Sequence, residues 1–90
     1  MTFFARVQDV FEITGRGVVL VLPKAWDRDI RIGVAEKIQL RIPDGRTLDT
    51  RIHGIELINT TAGCLAGILL PLEISRSEIS SQTEIWLIDK

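Results

Sequence analysis

Three sets of residues in this chain have types that can do chemistry. Gly15-Arg16-Gly17 stands between the apolar runs DVFEI and VVLVL, and glycines around a basic residue are the material of a phosphate-binding loop. His53 and Cys64 are the single histidine and the single cysteine, and a thiol beside an imidazole makes a nucleophile–base pair. Glu56 lies among Gly54, Ile55 and Leu57. A carboxylate there either accepts hydrogen bonds from a ligand hydroxyl or amide, or simply faces water from a strand.

Each has a plainer reading. A phosphate loop of the nucleotide-hydrolase kind continues Gly-Lys-Ser/Thr and opens a helix. Here Gly17 is followed by Val18-Val19-Leu20-Val21-Leu22, a β-branched and aliphatic run that reads as a strand buried on both faces. Two glycines between strands accept the positive φ that a bulged hairpin turn demands. Cys64 falls in an apolar run, where a thiol is an inert core group. No third group suggests itself to orient His53, and one His with one Cys falls short of a metal's ligand set. No catalytic residue, metal or cofactor is expected, and the chain is read as a non-enzyme. Trp26, between charges in a loop, is either a binding aromatic or a lid; Trp86 is expected to pack outside the last strand.

The elements that must position these groups have the period of strands. Phe3, Ala5, Val7, Asp9, Phe11 and Ile13 share one face of an extended start, with Asp9 the odd residue among them. Ile30-Arg31-Ile32-Gly33 reads as a short strand ending at a glycine turn. Ile38, Leu40 and Ile42 alternate with Lys37, Gln39 and Arg41 before the turn Pro43-Asp44-Gly45-Arg46. Leu48, Thr50 and Ile52 return inward, pairing Ile42 with Leu48 and Arg41 with Asp49. A bulge at His53-Gly54 then carries Ile55 and Leu57 on the other parity. Asn59 to Gly63 reads as a loop and Cys64 to Leu70 as a strand ended by Pro71. Ser75-Arg76-Ser77-Glu78 has capping-box spacing for one helical turn, and Glu84 to Ile88 closes the chain. With turn signals every 8–12 residues and no substantial helix, the class is all-β, and closure into a barrel removes exposed edges.

Ninety residues make one domain, residues 1–90. A formal net charge of −1 leaves no footprint for bulk nucleic-acid binding, so no DNA partner is expected. A single cysteine permits no internal disulfide, and neither a signal peptide nor a run of about 18 apolar residues is present, so a cytoplasmic chain with no membrane contact is expected. Hydrophobic residues make up 46% of the sequence, which leaves apolar surface for a partner or for self-association.

The stretch DVFEITGRGVV, from Asp9 to Val19, resembles the start of the second domain of translational GTPases such as elongation factor Tu. The likeness continues through Ile30-Arg31-Ile32-Gly33, His53-Gly54-Ile55-Glu56-Leu57, Ala62-Gly63, Gly67-Ile68-Leu69-Leu70 and Ser77-Glu78-Ile79, in family order over nearly the whole chain. The resemblance implies a small closed antiparallel β-barrel of six to seven strands. It also implies a pocket for the 3′-terminal adenosine of charged tRNA at Ile13, Gly15, Val19, Glu56 and Leu69. Departures accompany it. Gln8 replaces the family's acid, Leu65 its aminoacyl-contacting Asn and Pro71 its tRNA-contacting Arg, and Val21-Leu22-Pro23 stands where threonine-glycine-arginine is usual. No GTPase domain is read in these residues, so GTP hydrolysis is not expected. The implied function is a binding module docking to a protein partner or to itself as a homo-oligomer. The alternative is a binder of nucleotide or RNA 3′ ends through the Glu56 pocket.

Overall fold

The β-branched and alternating stretches form strands throughout the computed structural model, which describes residues 1–23, 32–61 and 63–88. Among these residues the strands are β1 (Thr2–Arg6), β2 (Asp9–Ile13), β3 (Gly17–Val21), β4 (Lys37–Arg41), β5 (Thr47–Arg51), β6 (Gly54–Thr60), β7 (Gly63–Leu69) and β8 (Glu84–Leu87). They make two antiparallel four-stranded sheets, ordered β1-β8-β4-β5 and β2-β3-β7-β6. The class is all-β, as expected. Among the described residues eight strands stand against the expected six to seven, because two runs that read as continuous each divide between the sheets.

The first division is at Val7-Gln8. Val7 N–H donates to Thr83 O at 2.7 Å, at the entry to β8, whereas Gln8 N–H donates to Val21 O at 2.8 Å, at the end of β3. The second is at Ile52-His53. Ile52 N–H donates to Glu36 O beside β4, and His53 N–H to Leu69 O of β7, both at 2.9 Å. This change of sheet falls where the bulge was expected, and Ile55 and Leu57 take the other parity as expected, pairing with Ile68 and Ala66 on the core side of the sheet. Against expectation they are exposed there, 42% and 76%.

A register shift between Phe3 and Ala5 in the β1–β8 ladder corrects the first apolar face. Phe4 and Ala5 are both buried and Phe3 is exposed, because an extra residue on one strand turns consecutive side chains the same way. Asp9 faces solvent.

The β4–β5 hairpin is tighter than expected. Gly45 N–H donates to Ile42 O and Ile42 N–H to Arg46 O, both at 2.9 Å, so Ile42 stands at Arg46 and not at Leu48. Leu40 then pairs with Leu48, and Gln39, not Arg41, faces Asp49. Asn59 to Gly63 is also less of a loop than expected, since the β6–β7 ladder runs to the pair Thr60–Gly63. Ile32 and Gly33 lie outside any strand; Glu36 N–H donates to Gly33 O at 3.2 Å, closing a turn in which Ala35 takes φ 73°. Ile30, Arg31 and Trp26 lie outside the described residues.

Between the sheets lies one core in which Phe4, Val7, Val18, Leu20, Leu22, Ile38, Leu40, Ile52, Ile68, Leu70 and Ile85 are all buried. Each such side chain contributes about 1.5–3 kcal/mol by leaving water. A 3-10 turn at Arg76–Glu78 carries the expected capping box: Ser75 Oγ accepts from Ser77 N–H, and Ser75 N–H donates to Glu78 Oε2 at 2.7 Å. It sits between the buried Ile74 and Ile79. Thr83, the buried polar residue, donates from Oγ1 to Ser80 O at 2.7 Å. Among the described residues no helix is long and apolar enough to cross a membrane.

Candidate binding face

The β2–β3 corner answers the question posed by Gly-Arg-Gly. Arg16 N–H donates to Ile13 O at 2.9 Å, and Ile13 pairs with Gly17, so Thr14-Gly15-Arg16 is a hairpin turn leading into a strand. Gly15 takes φ 81° and Gly17 φ 126°. Gly17 is required for a second reason: a Cβ there would lie 2.9 Å from Leu70 O, closer than non-bonded atoms approach.

Register and alternation then place the remaining residues of the implied pocket. Across the second sheet Phe11, Val19, Leu69 and Gly54 stand in one row, and Asp9, Val21, Gly67 and Glu56 in the next. Rows two residues apart point to the same face. Ile13, Val19, Leu69 and Glu56 therefore share the face of this sheet opposite the main core, with Gly15 at its corner.

This face is itself closely filled. Val19, Val21 and Leu69 are 0%, 4% and 4% exposed yet belong to the outer face. Missing side chains make this possible. A Cβ on Gly67 would lie 2.7 Å from Val19 Cγ1 and 3.0 Å from Ile58 Cδ1, and one on Gly54 would lie 3.5 Å from Leu69 Cδ2. Val19 and Ile58 thus lean into the space over Gly67. Ile13 is half-buried at the rim.

Glu56 has a partner that its place in the sequence did not reveal. Arg16, projected from the β2–β3 corner, forms an ion pair with its carboxylate across the sheet. The Arg16 side chain is 55% exposed and that of Glu56 23%. Glu56 thus stands ready to accept hydrogen bonds beside an accessible guanidinium, above an apolar floor. Leu65 is half-buried opposite Ile58, and Pro71 is buried after β7.

His53 and Cys64 are not brought together. Cys64 pairs with Asn59 near the tip of the β6–β7 hairpin, and His53 precedes the other end of β6, about 20 Å away at the rise of an extended strand. Cys64 is exposed, which corrects its reading as a core thiol: its strand runs beyond the core at this end. Among the described residues no three metal-ligating side chains converge.

A second cluster went unread in the sequence, on the outer face of the first sheet. Arg6 Nη2 donates to Glu84 Oε2 at 2.9 Å, and the Trp86 indole N–H donates to Glu84 Oε1 at 2.9 Å. The indole donor first, and the Arg6 guanidinium second, hold the Glu84 carboxyl below its ordinary value. Arg41 Cζ lies 3.9 Å from the Trp86 ring centroid. Phe3 meets that ring edge-on at 5.4 Å. Beside them is an open cavity of about 350 Å³ lined by Arg6, Arg41, Ile42, Pro43, Gln82 and Glu84. That Glu84 and Trp86 share a face of one strand, and Gln39 and Arg41 a face of another, follows from the period of a strand. The signal lacking was the strand order β1-β8-β4 that makes them neighbours.

Compared with protein-family models and with curated protein sequences, the chain returns no match.

Proposed function

We propose that this chain is a non-catalytic binding module, a small closed β-barrel of the translation-factor second-domain type, which docks to a protein partner or to a second copy of itself. Closure at the corners is supported where β1 runs into β2 and β5 into β6, so that each edge of one sheet continues into an edge of the other, while beyond its corner the side of β6 away from β7 stays open among the described residues. The observation that carries docking is the exposure of Ile55 and Leu57, at 42% and 76%, on β6, a strand that among the described residues pairs with β7 alone. Two neighbouring aliphatic side chains held in water on an open edge are recovered as binding energy when covered.

The test is light scattering on size-separated protein up to about millimolar concentration, together with a lysate passed over the immobilised chain. A mass above the monomer, or saturable retention of a defined protein, is expected. Monomer mass throughout with nothing retained overturns the docking reading.

A second reading has its own support, since Ile13, Val19, Leu69 and Glu56 share one face. On this reading an adenosine-like ring rests on the apolar floor and Glu56 accepts from its ribose hydroxyl, while Arg16 swings toward a phosphate. A short CCA-ended RNA then raises the mass in the same experiment, and Glu56→Gln weakens that binding about tenfold or more. Unchanged RNA binding by Glu56→Gln refutes this pocket.

A further inference from the structure

Among the described residues the four strands at sheet edges are β1, β2, β5 and β6, and edges in stable proteins carry devices against unwanted pairing. Three of them do. β1 has the register shift at Phe3–Ala5 and ends in Arg6. β2 contains Asp9 and Glu12, and β5 contains Asp49 and Arg51. β6, Gly-Ile-Glu-Leu-Ile-Asn-Thr, has no proline, no lysine and one charge, which Arg16 of the same chain neutralises.

The hydrogen-bond phase of β6 follows from its neighbours. On β7 and just beyond it, Leu70 N–H donates to Val18 O and Ala66 O accepts from Leu22 N–H, both at 2.9 Å. Even-numbered residues there face β3, so Leu65, Gly67 and Leu69 face β6 through Ile58, Glu56 and Gly54. By alternation the N–H and C=O of Ile55, Leu57 and Asn59 point off the sheet edge. The same three residues are exposed in their side chains.

We infer that β6 pairs antiparallel with β6 of a second copy, about a two-fold axis at Leu57, joining two four-stranded sheets into one. This rests on the docking reading and names its occupant. Self-complementarity selects the register. With the axis at Leu57, the middle of Gly54–Thr60, every residue of the strand is paired: Ile55 faces Asn59, Leu57 faces Leu57 and Glu56 faces Ile58. The outward-pointing residues then meet outward-pointing residues and form about six hydrogen bonds between the copies. An axis at Glu56 would set two carboxylates opposite each other, and an axis at Ile58 would set Ile55 against the hairpin turn. Pairing at Leu57 also covers the most exposed aliphatic side chain on the edge with its own copy.

The experiment is light scattering over a concentration range on the full chain, on Leu57→Lys and on Asn59→Pro, with amide hydrogen exchange on each. Both positions are exposed, and proline is tolerated on an edge strand whose N–H points outward. A dimer is expected, with the amides of Ile55, Leu57 and Asn59 protected in a concentration-dependent way. Leu57→Lys sets two like charges face to face and weakens the dimer about tenfold or more, and Asn59→Pro weakens it by removing a donor from each copy. Unchanged far-UV circular dichroism shows that both variants fold. A dimer that ignores both substitutions and leaves the three amides exchanging freely overturns the pairing while docking stands through another face. Monomer mass throughout overturns the pairing outright, and the lysate result then decides docking separately.

Discussion

Replacing Gly67 by alanine tests the close filling of the outer face. The Cβ would sit 2.7 Å from Val19 Cγ1 and 3.0 Å from Ile58 Cδ1. The Ile58 tip is the end of a flexible side chain and yields, but Val19 is β-branched, fully buried and stiff at χ1. Overpacking of this kind costs about 1–3 kcal/mol. The lower entropy of the unfolded chain returns about 0.4–1 kcal/mol, since Gly67 has no positive φ to lose. The difference is a net loss of roughly 0–2.6 kcal/mol, whose midpoint of about 1.3 kcal/mol corresponds to a fall in Tm of roughly 5–10 °C for a domain of this size. Val19→Ala alone deletes two buried carbons and leaves a gap, at a cost of about 2–3 kcal/mol. In that background the methyl of Gly67→Ala enters the space vacated by Cγ1. Gly67→Ala should therefore turn from destabilising to neutral or stabilising, with a coupling of about 1–3 kcal/mol between the two positions. Urea unfolding of the four proteins of the cycle measures this. An equal cost for Gly67→Ala in both backgrounds refutes the claim that Val19 occupies the space over Gly67.

Other substitutions have distinct outcomes. Gly17→Ala combines an unfavourable φ with a contact 2.9 Å from Leu70 O, whereas Gly63 shares φ 126° but has open space where a Cβ would go. Thermal unfolding should show a loss of about 2–4 kcal/mol at Gly17 and about 1–2 kcal/mol at Gly63, and equal losses would contradict the close approach. Glu84 has a depressed folded pKa, so its stabilisation is complete above the ordinary carboxylate value of about 4.3 and is lost as pH falls through the folded value. Trp86→Phe removes the largest cause of that depression, so the Glu84 carboxyl should titrate higher by NMR; an unmoved titration refutes the indole's role. Arg16→Ala breaks an exposed ion pair and should change stability by no more than about 1 kcal/mol, a larger loss by chemical denaturation showing that the pair does more than rim the face.

What the residues themselves determined is the local part of the fold. The alternation at Ile38, Leu40 and Ile42, the buried run from Val18, the capping box at Ser75 and the glycine corner at Gly15 and Gly17 are legible because each rests on neighbours in the chain: side-chain period, a helix start, the φ that glycine alone accepts freely. The tertiary structure decided where the chain changes sheets. Val7-Gln8 looks like any other step along a strand, and the parity change after Ile52 marks a break without marking a change of sheet. Only the competition of neighbouring strands for their backbone groups makes them corners; Ile55 and Leu57 keep the core-side parity yet stay exposed, and the register shift in β1 exposes Phe3. The same holds for the sites. Ile13, Val19, Glu56 and Leu69 were nameable one at a time, but that they share a face depends on the register of four strands. The partners of Glu56 and Glu84, Arg16 in one case and Arg6 with Trp86 in the other, are set by which strands lie side by side. Charge and hydrogen bonding act across a few ångströms of space, and a sequence records distance along the chain.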